Sequence, residues 1–143
     1  MANLRTGCGA LEREGVRITG RSHVYETEPQ AGAVGQQDFL NACIAVETEL
    51  DPRDLLAVAK RIEVELGRDP SAPRHSPRPL DIDVLLLEDA QIDAPDYQVP
   101  HAAIEQRRFV LEPLLELDAP GRERLERALA AIEGQRIVLY SEL

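Results

Sequence analysis

The run Arg78-Pro79-Leu80-Asp81-Ile82-Asp83-Val84-Leu85-Leu86-Leu87 reads as a strand with two characters. It alternates at Asp81-Ile82-Asp83 and is then wholly apolar from Val84 to Leu87. The apolar half predicts a central strand over Leu80 to Leu87. Side chains at i and i+2 on a strand project from one face, so Asp81 and Asp83 are expected side by side. Two close carboxylates repel unless a positive charge lies between them. Mg²⁺ meets that need, taking one or two carboxylates and completing its shell with water and phosphate oxygens. The plainer alternative is a solvent-facing strand with alternating Asp, against which the apolar half weighs.

On the N-terminal side, Arg68 to Pro79 holds four prolines and three arginines. That composition predicts a long exposed loop, and long loops in compact domains are commonly functional. Arg68, Arg74 and Arg78 flank the aspartate pair, and Arg107-Arg108 offers a second basic cluster. Guanidinium groups grip phosphates in bidentate fashion and stabilise transition-state charge. A solvated basic loop is the alternative.

Before the loop, Asp51-Pro52 supplies an N-cap and a first helical residue. Leu55, Ala59, Ile62 and Leu66 repeat at helical spacing, and Gly67 supplies the stop. Asp38 to Leu50 and Val16 to Glu26 read as strands, with residues 2–14 as a weak helix lowered by Gly7 and Gly9. Downstream come a short hairpin near Gln91 to Asp93 and a helical turn near Ala103 to Arg107. An apolar stretch from Phe109 to Leu117 follows, broken by Pro113. A helix over Arg122 to Glu133 and a strand over Arg136 to Tyr140 close the chain. The order predicts an α+β sandwich, one sheet covered on one face by helices.

With 143 residues and 43% hydrophobic content, the chain suits a single domain whose core is aliphatic, since aromatics make up only 3%. No apolar run reaches the roughly 18–20 residues that span a bilayer, and no basic-then-apolar leader is present, so the expectation is a cytoplasmic protein with no membrane partner. Sixteen basic against 26 acidic residues give a net charge of −10, which disfavours a nucleic-acid partner. Cys8 and Cys43 lie far apart without a metal-binding spacing and read as two buried thiols. Phe39 and Asn41 form an aromatic–amide pair on one strand face, suited to stacking on and reading the edge of a heterocycle, or simply to a half-buried strand. His101, after Pro100, suits phosphate binding, proton transfer or a structural role. His75 in the loop suits stacking on a flat ligand.

Taken together, these segments resemble the 6-hydroxymethyl-7,8-dihydropterin pyrophosphokinase family. The resemblance rests on Arg78-Pro79-Leu80-Asp81-Ile82-Asp83-Val84-Leu85, Tyr25-Glu26-Thr27-Glu28-Pro29 and Asp38-Phe39-Leu40-Asn41-Ala42. It also rests on Ile62-Glu63 with Leu66-Gly67-Arg68, and on Val99-Pro100-His101 followed by Arg107-Arg108-Phe109-Val110-Leu111-Glu112-Pro113-Leu114. It implies a ferredoxin-like α+β fold and transfer of the β,γ-diphosphate of ATP to the pterin hydroxymethyl group, leaving AMP. Asp81 and Asp83 would hold two Mg²⁺ ions. Arg78 would act in catalysis and, with Glu63, Arg68, His101 and Arg107, on the nucleotide. Asn41 would read the pterin edge, Phe39 and Phe109 would sandwich the ring, and the Thr27 backbone would close the pocket.

The sequence departs from the family's pattern at its start, which falls inside the first helix at Ala2-Asn3-Leu4-Arg5, without the strand and Gly-Ser-Asn turn that open the family. That predicts unpaired strand edges, an incomplete core, and self-association through an open sheet edge. It also leaves a second reading, a pterin- or nucleotide-binding relative that does not turn over. His75, Ala102, Pro70 and Lys60 differ from residues common at those family positions, which bears on nucleotide affinity.

Overall fold

The computed structural model describes residues 1–27, 39–67, 80–88 and 91–143. In these the fold is mixed α+β with four helices and antiparallel sheets. Helix α1 spans Ala2–Arg13, and strands β1 (Arg17–Arg21) and β2 (His23–Thr27) follow. Next come β3 (Phe39–Asn41), β4 (Ile44–Glu47) and helix α2 (Pro52–Glu65). Strands β5 (Ile92–Ala94) and β6 (Tyr97–Val99) make a small hairpin. A 3₁₀ turn at Ile104–Gln106, helices α3 (Arg108–Leu114) and α4 (Arg122–Ala131), and strand β7 (Ile137–Glu142) complete the order. None of these helices is long and apolar enough to cross a membrane.

The strand expected over Val16 to Glu26 is two strands in different sheets, and so is the strand expected over Asp38 to Leu50. The break has a local cause. Ser22 is buried; its N–H donates to the Cys43 carbonyl at 2.9 Å and its hydroxyl accepts the Cys43 N–H at 2.8 Å. A side chain there replaces a rung of the ladder, so one long hairpin splits into β1–β4 below and β2–β3 above. β7 pairs with the other edge of β2, giving the order β3-β2-β7. The single sheet expected from the sequence is thus three small ones among the described residues. β7 exposes Val138, Leu139 and Tyr140.

The central strand expected at Leu80 to Leu87 is also corrected: no ladder is assigned there. A strand needs a neighbour, and among the described residues none pairs with this one. The segment is instead held by its side chains. Leu80 belongs to the core shared by α1 and α2, with Ile82 and Val84 packed against it. Leu85 and Leu86 pack against a second core built on Cys43, Ile104, Leu111, Leu114 and Leu125. The segment therefore runs between the two cores, and its alternate residues Asp81 and Asp83 are exposed.

Two local expectations gain reasons. Asp51 caps α2, accepting the Asp54 N–H at 2.9 Å, and Gly67 ends the helix region at φ +107°. Gly7, unfavourable in a helix, sits where a Cβ would come within 2.7 Å of Leu80 Cδ2, so the glycine lets α1 lie close against the aspartate segment. Pro113 does not break the apolar stretch as expected: it lies inside α3, which runs through it. Both thiols are free and buried, and burial pushes Cys43 up to about 12.

Candidate active site

Asp81 and Asp83 are exposed on either side of half-buried Ile82, the alternation that an extended segment gives. Both therefore leave the core on one face. What aims them is the backbone between them. The Ile82 N–H donates to Glu63 Oε2 at 2.8 Å, and Glu63 on α2 is 0% exposed. Lys60, one turn earlier on α2, places its Nζ 3.5 Å from the same oxygen. Three residues past Ile82, the Leu85 carbonyl accepts the His101 N–H at 2.9 Å, which brings the loop after β6 alongside.

His101 Nε2 lies 4.0 Å from Asp83 Oδ2. Its Nδ1 accepts the Ala103 N–H at 3.2 Å, so the ring proton of the neutral form sits on Nε2, on the side of Asp83. These groups border a cleft of about 270 Å³ whose lining includes Lys60, Asp83, Val84, Tyr97 and His101. The Arg53 guanidinium carbon stands 5.5 Å above the Tyr97 ring, and Arg53 pairs at 2.7 Å with Asp96, another residue of the cleft lining. The buried Tyr97 hydroxyl has no hydrogen-bond partner among the described residues. Sequence reading missed Tyr97, which no motif marks, and met Lys60 only as a departure at a family position that can carry a polar nucleotide contact.

The aromatic–amide pair lies on a ladder. Thr27 is paired with Phe39 and Tyr25 with Asn41 in the β2–β3 register. Asn41 Nδ2 donates to the buried Thr27 hydroxyl at 2.8 Å, which fixes the amide plane and leaves Oδ1 for another donor. Phe39 is 38% exposed. Helix α3, which carries Phe109, packs against β3 and β2, and Arg107 lies over the Phe109 ring at 5.6 Å. Arg108 turns away: it binds Glu112 at 3.1 Å and the Gln135 carbonyl at 3.0 Å, tying α3 to the loop before β7. The structure thus gathers Thr27, Phe39 and Asn41 on one ladder with α3 beside it, and gathers Asp83 and His101 with Asp81 next in the chain. Arg68, Arg74, His75 and Arg78, with the whole basic loop, lie outside the described residues.

A third cluster joins the ladder to the end of α3. Glu116 accepts from His23 Nδ1 and the Tyr25 hydroxyl, both at 2.6 Å. Burial pushes the Glu116 carboxyl up, but hydrogen bonds from Tyr25 and His23 outweigh it and hold the carboxyl below its usual range. The same bond raises His23, and burial with the Glu116 bond pushes Tyr25 up to about 12.

Residues 1–119 match the family described as 7,8-dihydro-6-hydroxymethylpterin-pyrophosphokinase. The chain is 43% identical to the 2-amino-4-hydroxy-6-hydroxymethyldihydropteridine pyrophosphokinase of Methylorubrum extorquens, over 87% of this chain and 82% of that one. It is 37% identical to the Bacillus subtilis protein of the same name, over 85% of this chain and 72% of that one. The folate synthesis bifunctional protein of Arabidopsis thaliana is 40% identical over 82% of this chain, which spans only 24% of that longer protein. On a match of that extent, with two relatives of similar length, the chain belongs to the 7,8-dihydro-6-hydroxymethylpterin-pyrophosphokinase family of enzymes.

Proposed function

We propose that this chain transfers the β,γ-diphosphate of ATP to the hydroxymethyl group of 6-hydroxymethyl-7,8-dihydropterin, a step in folate biosynthesis. The acceptor oxygen forms a bond to the β-phosphorus, the bond from that phosphorus to the α,β-bridging oxygen breaks, AMP leaves, and the hydroxyl proton is lost. The carrying observation is Asp83 beside His101 in the lining of a cleft, with Asp81 exposed two residues earlier on the same segment.

The pair suits Mg²⁺. Among the described residues no group of three or more His, Cys, Asp or Glu side chains forms a metal cage. Two exposed carboxylates with room for phosphate and water are the donor set this ion prefers. When bound, two Mg²⁺ ions neutralise charge on the phosphate oxygens during transfer. The protein's own groups orient and bind. Asp81 and Asp83 present oxygens, His101 Nε2–H faces the same space as a donor for phosphate, and Arg78, Arg68 and Arg107 supply guanidinium groups to the nucleotide. Thr27, Asn41, Phe39 and Phe109 form the pterin pocket, Asn41 Oδ1 accepting from the heterocycle edge and the rings stacking on it. The reading includes a ferredoxin-like arrangement, supported by the α+β order, and self-association through an open sheet edge, for which β7, at the edge of its sheet with Val138, Leu139 and Tyr140 exposed, is the candidate. Sedimentation of the unaltered chain and a Leu139→Lys variant tests the latter; an unaltered chain that stays monomeric at all concentrations would refute it.

A coupled assay for AMP from ATP and the hydroxymethyl-dihydropterin tests the main proposal. A folded chain that forms no AMP would sink it. Mg²⁺-dependent binding of a non-hydrolysable ATP analogue without turnover would favour the binding relative.

A further inference from the structure

We infer that Glu63 is a positioning residue for the aspartate pair: its buried carboxylate fixes the backbone between Asp81 and Asp83 and makes no contact of its own with the nucleotide. The inference rests on the reading of that pair as the metal site. It departs from the role that family resemblance gives Glu63.

The first ground is burial. Glu63 is 0% exposed, so its carboxylate has no surface on which a ligand could settle. It is the only charged residue among the buried polar ones described, the others being Ser22 and Thr27. It sits beside the apolar stripe of α2 (Leu55, Val58, Ala59, Ile62), where an aliphatic residue would pack at no desolvation cost. A carboxylate kept there needs partners that compensate its burial.

The second ground is what it holds. One compensating partner is the Ile82 N–H, the peptide donor midway between the two aspartates. A strand normally has its N–H groups taken by a neighbour, but no ladder is assigned to this segment. A charge-assisted bond to a helix side chain takes that place and is about twice as strong as a neutral one. Residues 81 and 83 turn with the peptide at 82, so an error there rotates both side chains together. Lys60 Nζ, 3.5 Å from the same carboxylate and 48% exposed, links this anchor to the cleft lining.

The test compares Glu63→Met, which keeps the length and loses the acceptor, with Glu63→Gln, whose amide oxygen accepts the same N–H without charge. Mn²⁺ serves as a spectroscopic probe for the metal, titrated by electron paramagnetic resonance with a non-hydrolysable ATP analogue. Amide exchange at Ile82 and the separate kcat and KM values complete the readout. Glu63→Met is expected to weaken Mn²⁺ binding by about tenfold or more, as loss of a group that orients metal ligands does. Ile82 exchange should accelerate and kcat fall, while the KM for pterin holds. Glu63→Gln should restore most of each.

Equal damage in the two variants would overturn the inference, because restoring an acceptor for the Ile82 N–H would then fail to restore the site. Wild-type Mn²⁺ binding in a folded Glu63→Met protein would overturn it as well. Should Glu63→Met not fold, Glu63→Gln decides alone: a protected Ile82 amide with near-wild-type Mn²⁺ binding supports the role, and loss of binding overturns it. Asp83→Asn is the control on the underlying reading. Unaltered Mn²⁺ affinity there would overturn the metal assignment and with it the positioning role, while the exchange rate at Ile82 would still report whether the bond to Glu63 exists.

Discussion

The two halves of the site are held in different ways. The side proposed for the pterin stands on the β2–β3 ladder, where Thr27, Phe39 and Asn41 are fixed by consecutive main-chain pairs and one side-chain bond. The side proposed for the metal stands on a segment that pairs with no strand among the described residues. Core leucines hold it on one face, Glu63 at Ile82, and His101 at Leu85. A ladder spreads the work of positioning over many bonds, so a single change loosens it little. Point contacts concentrate that work, so a single change at Glu63 should reach both aspartates. Changes at the exposed aspartates should therefore cost function with little stability, while a change at the buried Thr27–Asn41 bond should cost stability and pterin binding together.

The largest effect is expected at the aspartates themselves. Asp83→Ala should lower kcat/KM by at least about a hundredfold, the scale of losing one group that stabilises transition-state charge. Asp81→Ala should do the same. Because both side chains are exposed, denaturant unfolding should shift by no more than about 0.5 kcal/mol. A large loss of stability with modest loss of rate would reverse the comparison.

Next in size is the ladder. Asn41→Ala removes the donor to the buried Thr27 hydroxyl, and leaving a buried polar group unpaired costs about 1–3 kcal/mol. Its KM for pterin should rise while binding of the ATP analogue and of Mn²⁺ stays put. With Thr27→Val added, the hydroxyl is gone, and the double variant should lose less than the sum of the singles. Simple additivity in chemical denaturation would show that the bond does not couple the two positions. Asp51→Ala, which removes the cap of α2, should cost about 1 kcal/mol. It should leave Mn²⁺ binding unchanged, since Glu63 lies near the other end of the helix.

How far the sequence spoke follows the same division. Helix α2 was legible because its signals are local: an Asp-Pro start, an apolar stripe and a glycine stop. The aspartate pair was legible because alternation alone puts residues 81 and 83 on one face, with or without a ladder. The splitting of each long strand was not, because it depends on Ser22 meeting Cys43, two residues far apart in the chain. Gly7 read as a weak point of α1, and only the approach of Leu80 shows what its missing side chain permits. Glu63 has no mark in the helix pattern, and the family resemblance singles it out only as a nucleotide contact. Its burial, and its hold on Ile82, are properties of the packed molecule. Pro113 misled in the other direction, since a proline within a short helix forfeits few internal hydrogen bonds.

The smallest expected effect belongs to the clamp of His23, Glu116 and Tyr25, and it probes the ladder side alone. His23 is raised above its ordinary value of 6.5 by its bond to Glu116, so its contribution to stability is complete below that pH and fades as pH rises through the folded value. Glu116 is lowered from 4.5, so its contribution is complete above that pH and fades as pH falls through the folded value. Both groups are charged in between, and Tyr25, at about 12, stays protonated and donating throughout. Thermal unfolding from pH 4 to 9 should therefore give a wild-type Tm that declines, relative to a Glu116→Gln variant, as pH rises above 6.5 and through the folded His23 value. That variant loses the carboxylate that holds the His23 proton, and its own profile should be flatter. Mn²⁺ binding should follow the same pH course in both proteins, because the clamp acts on β2 and the end of α3 and has no bond to the segment of Asp81 and Asp83. Parallel Tm profiles would remove the clamp from the account of stability. A shift in metal affinity with Glu116→Gln would show that the two sides of the site are coupled after all.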